Sequence, residues 1–214
     1  VKYFYSKKKE AIPTGTCLIL ITPDSERTMC TFLGTAGKIN EKDIDVDSVK
    51  NSNLLLLEGY LWDEGEPKKA FEKAIQNSNK VAMSLSDLFC VERHKSHFLD
   101  LVKNKLDITF ANEQEIMSLI DTKDFNNIIE FSKKIKKLLV ITRGEKGAIA
   151  IKGDEIVECE AQRNLKIVDL TGAGDLFAAG FLNGYVNNLS LKESLNKGTE
   201  MSSKIIQKIG ARLN

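Results

Sequence analysis

The sequence predicts a doubly wound α/β fold: a mostly parallel sheet with helices on both faces. Three observations carry this. Short apolar runs alternate with segments whose apolar residues recur at helical spacing. The run Leu54 to Glu58, closed by Gly59, is nearly all apolar, as a strand buried on both faces requires. Finally, a turn of small residues, Thr171-Gly172-Ala173-Gly174, separates the strand-like run Leu165 to Val168 from a helical face made by Phe177, Ala178, Phe181, Leu182 and Tyr185.

The elements follow in order. Thr16 to Thr22 and Arg27 to Leu33 read as paired strands across Pro23-Asp24-Ser25. After the Leu54 strand, Pro67 sits at a first helical position, and Ala70, Phe71, Ala74 and Ile75 form one face. Val81 to Met83 is a short strand. A helix around Ser96 to Asn104 precedes the strand-like run Leu106 to Phe110. Ile116, Leu119 and Ile120 mark the next helix, and Phe125, Ile128, Ile129 and Phe131 the one after it. The strand Leu138 to Ile141 and a two-stranded excursion, Ala148 to Cys159, lead to the Leu165 strand. Helices Gly174 to Asn187 and Leu191 to Ile209 close the chain. Ligands of such a sheet bind beyond the carboxyl ends of its strands. Asn112, Thr142 and Thr171 each sit just past a predicted strand end.

Composition excludes several classes. The 214 residues can bury a sizeable core, and no repeat, linker or low-complexity tract divides them. The 31 basic against 30 acidic residues leave a net charge of +1, which gives no broad pull on nucleic acid or membrane. The lysine runs Lys7 to Lys9 and Lys133-Lys134 with Lys136-Lys137 read as solvated surface. No apolar run reaches membrane-spanning length and no signal peptide is visible, so a cytoplasmic location is expected. Cys17, Cys30, Cys90 and Cys159 form no C-x-x-C pair and read as small buried thiols in a reducing compartment, with a Cys17–Cys30 hairpin contact open. His94 and His97 lack an acid or thiol to complete a metal site and read as a surface pair. Tyr60 and Trp62 pack a strand end or stack a ring. The chain has no G-x-G-x-x-G after a strand and no G-K-[ST], which disfavours a dinucleotide oxidoreductase and excludes a Walker A kinase.

The small-residue turn carries the chemistry. Amides at a helix N-terminus lack helical partners, and the helix dipole is positive there, so the Gly172-Ala173-Gly174 turn can hold an anion. Asp175 adds a carboxylate to the same turn. Beside a bound phosphate that carboxylate would only repel, unless it takes a proton from an attacking hydroxyl. The structural alternative is a tight strand–helix connection with a first-turn acid.

The full string Asp169-Leu170-Thr171-Gly172-Ala173-Gly174-Asp175-Leu176-Phe177 resembles the signature of the ribokinase-like, or PfkB, sugar and nucleoside kinases. Asn112-Glu113-Gln114-Glu115 is similar to that family's N-x-x-E motif, although Asn also caps helices. Thr142-Arg143-Gly144-Glu145-Lys146-Gly147 is similar to its T-x-G-x-x-G nucleotide loop, although it would also serve as a hairpin turn. Gly210-Ala211-Arg212 resembles its usual ending. Pro13-Thr14-Gly15-Thr16, Thr22-Pro23-Asp24, Glu26 to Met29, Glu58-Gly59-Tyr60-Leu61 and Ser84-Leu85-Ser86-Asp87 look like the adenosine-kinase-like branch. Order and spacing agree, and the resemblance covers essentially the whole chain.

The resemblance implies an ATP-dependent transfer of phosphate to a hydroxyl of a sugar or nucleoside. It makes Asp175 the general base and the amides around Gly172, Ala173 and Gly174 the anion hole. Asn112 and Glu115 would hold magnesium through water, and Thr142, Arg143, Gly144 and Gly147 would line the nucleotide path. Thr199 and Gly210 would lie near adenine. Asp169 and Thr171 fall where many members bind a monovalent cation such as K+; a structural cap on the turn is the alternative for Asp169. Arg27 falls where a lid residue reaches over the phosphates, or is an exposed strand arginine. Residues 1–35 would be part of a β lid and its return strand, and 36–214 the C-terminal part of the kinase domain. Lid strands pair between subunits in some members, which leaves a homodimer open. Full-length members are longer, so an N-terminal third with most of the acceptor pocket is expected outside this sequence, and the sheet is expected to show an unpaired edge prone to association. The alternative function is a non-catalytic, nucleotide-binding fragment.

Overall fold

The computed structural model describes residues 2–4, 10–62 and 65–213. The run Lys7 to Lys9 lies outside the described residues. A two-stranded antiparallel sheet comes first: β1 (Thr16–Ile21) pairs with β2 (Arg27–Phe32), Thr16 opposite Phe32 and Ile21 opposite Arg27. Both faces are largely open to solvent, and Leu18, Leu20 and Met29 are exposed. Cys17 pairs with Thr31 and Cys30 with Leu18, so the two thiols are offset by one position; both are exposed, contrary to the expectation of burial. A short helix α1 (Val46–Lys50), capped by Asp45, leads into the main sheet.

That sheet has six strands in chain order: β3 (Leu55–Glu58), β4 (Val81–Ser84), β5 (Ile108–Asn112), β6 (Leu138–Thr142), β7 (Ala148–Lys152) and β8 (Glu155–Cys159). The first four run parallel and the last two antiparallel. β3 and β8 are its outer strands, and Leu56 on β3 is exposed. The parallel strands are linked by α2 (Glu66–Gln76), α3 (Leu88–Asn104), and α4 (Glu113–Leu119) followed by α5 (Phe125–Ile135). The chain ends in α6 (Ala173–Val186) and α7 (Leu191–Ile205).

Alternation along each strand sorts side chains between the two faces. Met83, Leu139, Ile141, Ile149 and Ile151 join Phe71, Phe98, Ile116 and Ile128 in one core under α2 to α5. Ala82, Ile108, Leu138, Val140 and Ala150 join Phe177, Phe181 and Leu195 in the other core, under α6 and α7. Phe181 meets Phe110 edge-on, with centroids 5.5 Å apart, and stacks on Tyr185 at 6.1 Å. The doubly wound layering is therefore as the sequence predicts.

Several expectations need correction. Leu165 to Val168 is not a strand: among the described residues none pairs with it as a strand neighbour, and Ile167 is exposed. Its backbone instead bonds to the end of α7, the N–H groups of Val168 and Asp169 both donating to Ile206 O. Helix α3 starts at Leu88, well before Ser96, because Asp87 caps it by accepting from Phe89 N at 3.1 Å; a break at His94 (φ −119°, ψ 24°) hides its periodicity. Helix α7 ends at Ile205 rather than Ile209. His94 is also not a surface residue: it is buried against Phe98. Trp62 is buried too, edge-on to Phe71 at 5.5 Å, which removes it as a stacking surface for a ligand.

Candidate active site

The parallel strands deliver their carboxyl ends to one rim. Register alone sets Glu58 beside Ser84, and Asn112 beside Thr142. Beyond β5 the chain turns straight into α4 through a reciprocal cap. Asn112 Oδ1 accepts from Glu115 N at 2.8 Å, and the Glu115 carboxylate accepts from Asn112 N at 2.9 Å and Asn112 Nδ2 at 2.6 Å. Asn112 is exposed and Glu115 is only 5% exposed. Burial pushes the Glu115 carboxyl up to about 7, against the Asn112 hydrogen bond and with help from the charges of Asp87 and Glu58.

Sequence reasoning assigned no role to the next carboxylate. Glu58, at the end of β3, accepts from Ser86 Oγ at 3.0 Å. Burial raises its carboxyl above the usual range; the Ser86 bond opposes this, and the charge of Asp175 adds to it. Ser86 has φ +72°, and its carbonyl accepts from the Tyr60 hydroxyl at 3.1 Å. Burial raises that phenol as well, followed by the charges of Asp87, Cys90, Glu115 and Asp175. Tyr60 is half-exposed and lies 6.0 Å from the exposed Phe89 ring. Burial pushes the nearby Cys90 thiol up to about 12, which keeps it protonated. Glu58, Asp87, Glu115 and Asp175 thus share one field. The signal available for Glu58 was an acid ending an apolar run at the expected ligand edge.

The signature turn completes the rim. Gly172 caps α6 with φ +78°, and a Cβ there would sit 3.0 Å from that of Ala211. The Ala173 amide donates to Leu170 O at 3.2 Å within the turn. Helical geometry gives the Gly174 and Asp175 amides no partner inside the helix. A Cβ built on Gly174 would meet nothing within 4 Å, so the space over the turn is open, and Asp175 is exposed beside it. Asp169 lies beneath, only 1% exposed. Its Oδ1 accepts from Thr171 N at 2.8 Å and Thr171 Oγ1 at 2.6 Å, and its Oδ2 from Gly210 N at 2.8 Å. Burial opposes its charge, but these bonds and nearby Arg27 hold the carboxyl below its usual range. Asp169 and Gly172 therefore bind Gly210 and Ala211 to the turn. Arg27 is exposed at the start of β2. The adjoining hairpin touches the same region, Ser25 Oγ donating to Ile167 O at 3.1 Å.

The predicted nucleotide loop joins β6 to β7. Residues 144–146 form a helical turn, closed by Arg143 N to Gly147 O at 2.8 Å. Arg143 and Lys146 both reach Glu113, at 3.0 and 3.4 Å. Burial opposes charge on Glu113, but these two cations prevail and hold its carboxyl below the usual range. Thr199, half-buried on α7, lies 3.1 Å from Cys159 Sγ. Among the described residues, no three His, Cys, Asp or Glu side chains are grouped to hold a metal, and no helix is long and apolar enough to cross a membrane.

Comparison with known proteins agrees with this architecture. An uncharacterized sugar kinase of Archaeoglobus fulgidus is 28% identical over 200 residues, 93% of this chain and 79% of that protein. An adenosine kinase of Schizosaccharomyces pombe is 26% identical over 222 residues, 94% of this chain and 65% of that protein. The crystal structure of adenosine kinase from Sinorhizobium meliloti superposes with a TM-score of 0.93 at 38% identity, across 98% of this chain and 66% of that one. The chain thus spans about two-thirds of the length of the two adenosine kinases. The family model described as pfkB family carbohydrate kinase matches residues 1–214. With the fold, the rim and the whole-length match in agreement, the chain belongs to the pfkB family of carbohydrate kinases.

Proposed function

We propose that this chain carries the phosphoryl-transfer centre of an ATP-dependent kinase whose acceptor is a hydroxyl of a sugar or nucleoside. One observation carries the reading: an exposed carboxylate, Asp175, stands on the first turn of α6, beside open space over Gly174 and in the field of Glu58. Asp175 takes the proton of the acceptor hydroxyl as the new bond forms. The Gly174 and Asp175 amides neutralise charge that grows on the transferred phosphoryl. Glu58 and the Ser86 loop face the acceptor, because carboxylates at this rim accept hydrogen bonds from hydroxyls and repel phosphate. Thr142, Gly144, Gly147, Thr199 and Gly210 line the nucleotide path.

Magnesium fits the hard oxygen donors of Glu115 and Asn112, which would hold it through water; bound there, it would screen the phosphate charge. A buried carboxyl raised to about 7 is one that a nearby divalent cation would return to its charged form. Asp169 and Thr171 do not fit K+ in the same way. Their side chains bond one another and Gly210, so we read them as the clasp of the turn. The β1–β2 sheet acts as part of a lid, with Arg27 over the phosphates, and a homodimer through it is in keeping with its exposed faces. The setting is cytoplasmic.

The test is transfer of phosphate from ATP to a panel of nucleosides and sugars, using the polypeptide as its gene encodes it. Turnover of one acceptor class supports the reading and names the substrate. ATP binding without turnover of any acceptor overturns it in favour of a nucleotide-binding protein.

A further inference from the structure

The guanidinium of Arg143 is engaged on three sides. Its Nε donates to Glu113 Oε2 at 3.0 Å, its Nη1 lies 3.6 Å from Glu158 Oε1, and its Cζ sits 4.1 Å from the centre of the Phe125 ring. Arg143 and Glu113 are both mostly buried, their side chains 19% and 23% exposed. Lys146, three residues further along the loop, adds a second contact, 3.4 Å from Glu113 Oε1. These partners come from the start of α4, the start of α5 and β8. Glu113 immediately follows Asn112, which is locked to Glu115.

We propose that Glu113 and Arg143 form a clasp that fixes the nucleotide loop 142–147 against the start of α4, so that Arg143 is a positioning residue and not a phosphate ligand. This rests on the kinase reading above. An arginine that neutralised phosphate would keep its fork free for a bidentate contact. Here Nε is bound to Glu113, Nη1 is drawn toward Glu158 at 3.6 Å, and one face of the guanidinium lies on Phe125, which together hold the side chain against α4 and α5. The clasp sets the distance between the residues proposed to hold magnesium and those proposed to hold the nucleotide. Both groups touch one ligand only if the loop is in place, and ordering the loop beforehand removes an entropic cost from ATP binding.

The experiment compares Arg143→Ala, Glu113→Gln, Glu113→Ala and the double alanine variant in the polypeptide as its gene encodes it. It reads KM for ATP, kcat, and hydrogen exchange of the amides of residues 143–147. The clasp predicts that each single alanine change raises KM for ATP about ten-fold, equivalent to about 1.4 kcal/mol, with kcat within about two-fold. The effect of the double variant should fall well short of the sum of the two single effects, because both single changes remove the Glu113–Arg143 contact. Loop exchange should quicken in every variant, including Glu113→Gln, which keeps the volume of the side chain. If Arg143→Ala raises KM while both Glu113 variants keep wild-type KM and exchange, Arg143 acts on the nucleotide directly and the clasp is overturned. Should the protein show no kinase activity, exchange alone decides: faster exchange in the Glu113 variants keeps the clasp, and unchanged exchange removes it.

Discussion

Replacing Gly147 by alanine should damage the fold far more than the same change three residues earlier. Gly147 has φ +86° and ψ −135°, outside the left-handed helical well and in a region essentially reserved for glycine, which costs alanine about 1–3 kcal/mol. The new Cβ would lie 1.9 Å from Cys159 O and 2.8 Å from Ala161 N, both backbone atoms that cannot rotate away. Cys159 pairs with Ala148, the next residue, so relief means parting the start of β7 from the end of β8. Overpacking of this kind costs about 1–3 kcal/mol more. The total is about 2–6 kcal/mol. Gly144 has φ +58° but open space around its Cβ direction, so Gly144→Ala should cost only the strain, about 1–2 kcal/mol. Urea unfolding followed by circular dichroism, with m held common to the variants, measures both. In thermal terms the losses are about 4–24 °C for Gly147→Ala and about 2–8 °C for Gly144→Ala, at about 2–4 °C per kcal/mol. Equal losses at the two positions would refute the reasoning, because Gly147 alone combines a backbone region reserved for glycine with the close approach to β8.

Two further outcomes follow from the carboxylates. The Glu115 carboxyl in the folded chain holds its proton up to about 7, whereas its unfolded value is 4.5. The folded state therefore binds more protons between these values, and its stability falls as pH rises from about 4.5 to 7. Glu115→Gln should lack that fall, so without divalent cations it gains about 1–3 kcal/mol on the parent between pH 5 and pH 7.5; parallel stability profiles would contradict this. Asp169→Ala strips three hydrogen bonds from a buried site and should cost about 2–4 kcal/mol, with faster amide exchange at Gly210; a loss under about 0.5 kcal/mol would mean that the clasp of the turn carries no weight.

Much of the fold was legible because strand and helix periods differ. Leu138 to Ile141 and the Ala70, Phe71, Ala74 face fall as expected in β6 and α2. Leu165 to Val168 misled for a physical reason: an apolar run reports burial or pairing, and here its backbone partner is the last turn of a helix from the far end of the chain. Such a partner leaves no local pattern. The first half of α3 was hidden by the break at His94, which shifts the apolar phase of the helix. Asp175, Gly174, Asn112 and Glu115 were legible in the sequence as turn and cap residues, because that chemistry is local. Glu58 was overlooked because its meaning depends on strands that meet only in three dimensions, where Ser86 and the charge of Asp175 reach it. Arg143 was identified in the sequence, but its partners lie 30 residues before it and 15 after it, beyond any local rule.

The most direct test of the account is Asp175→Asn in a kinase assay with direct measurement of ATP binding. The side chain keeps its size and loses its ability to take a proton, while the amides of the turn remain. The account predicts a fall in kcat of about 10²- to 10⁴-fold, with ATP affinity changed by no more than about three-fold. Turnover within about two-fold of the parent would contradict it, because the carboxylate beside the open turn would then have no part in the transfer.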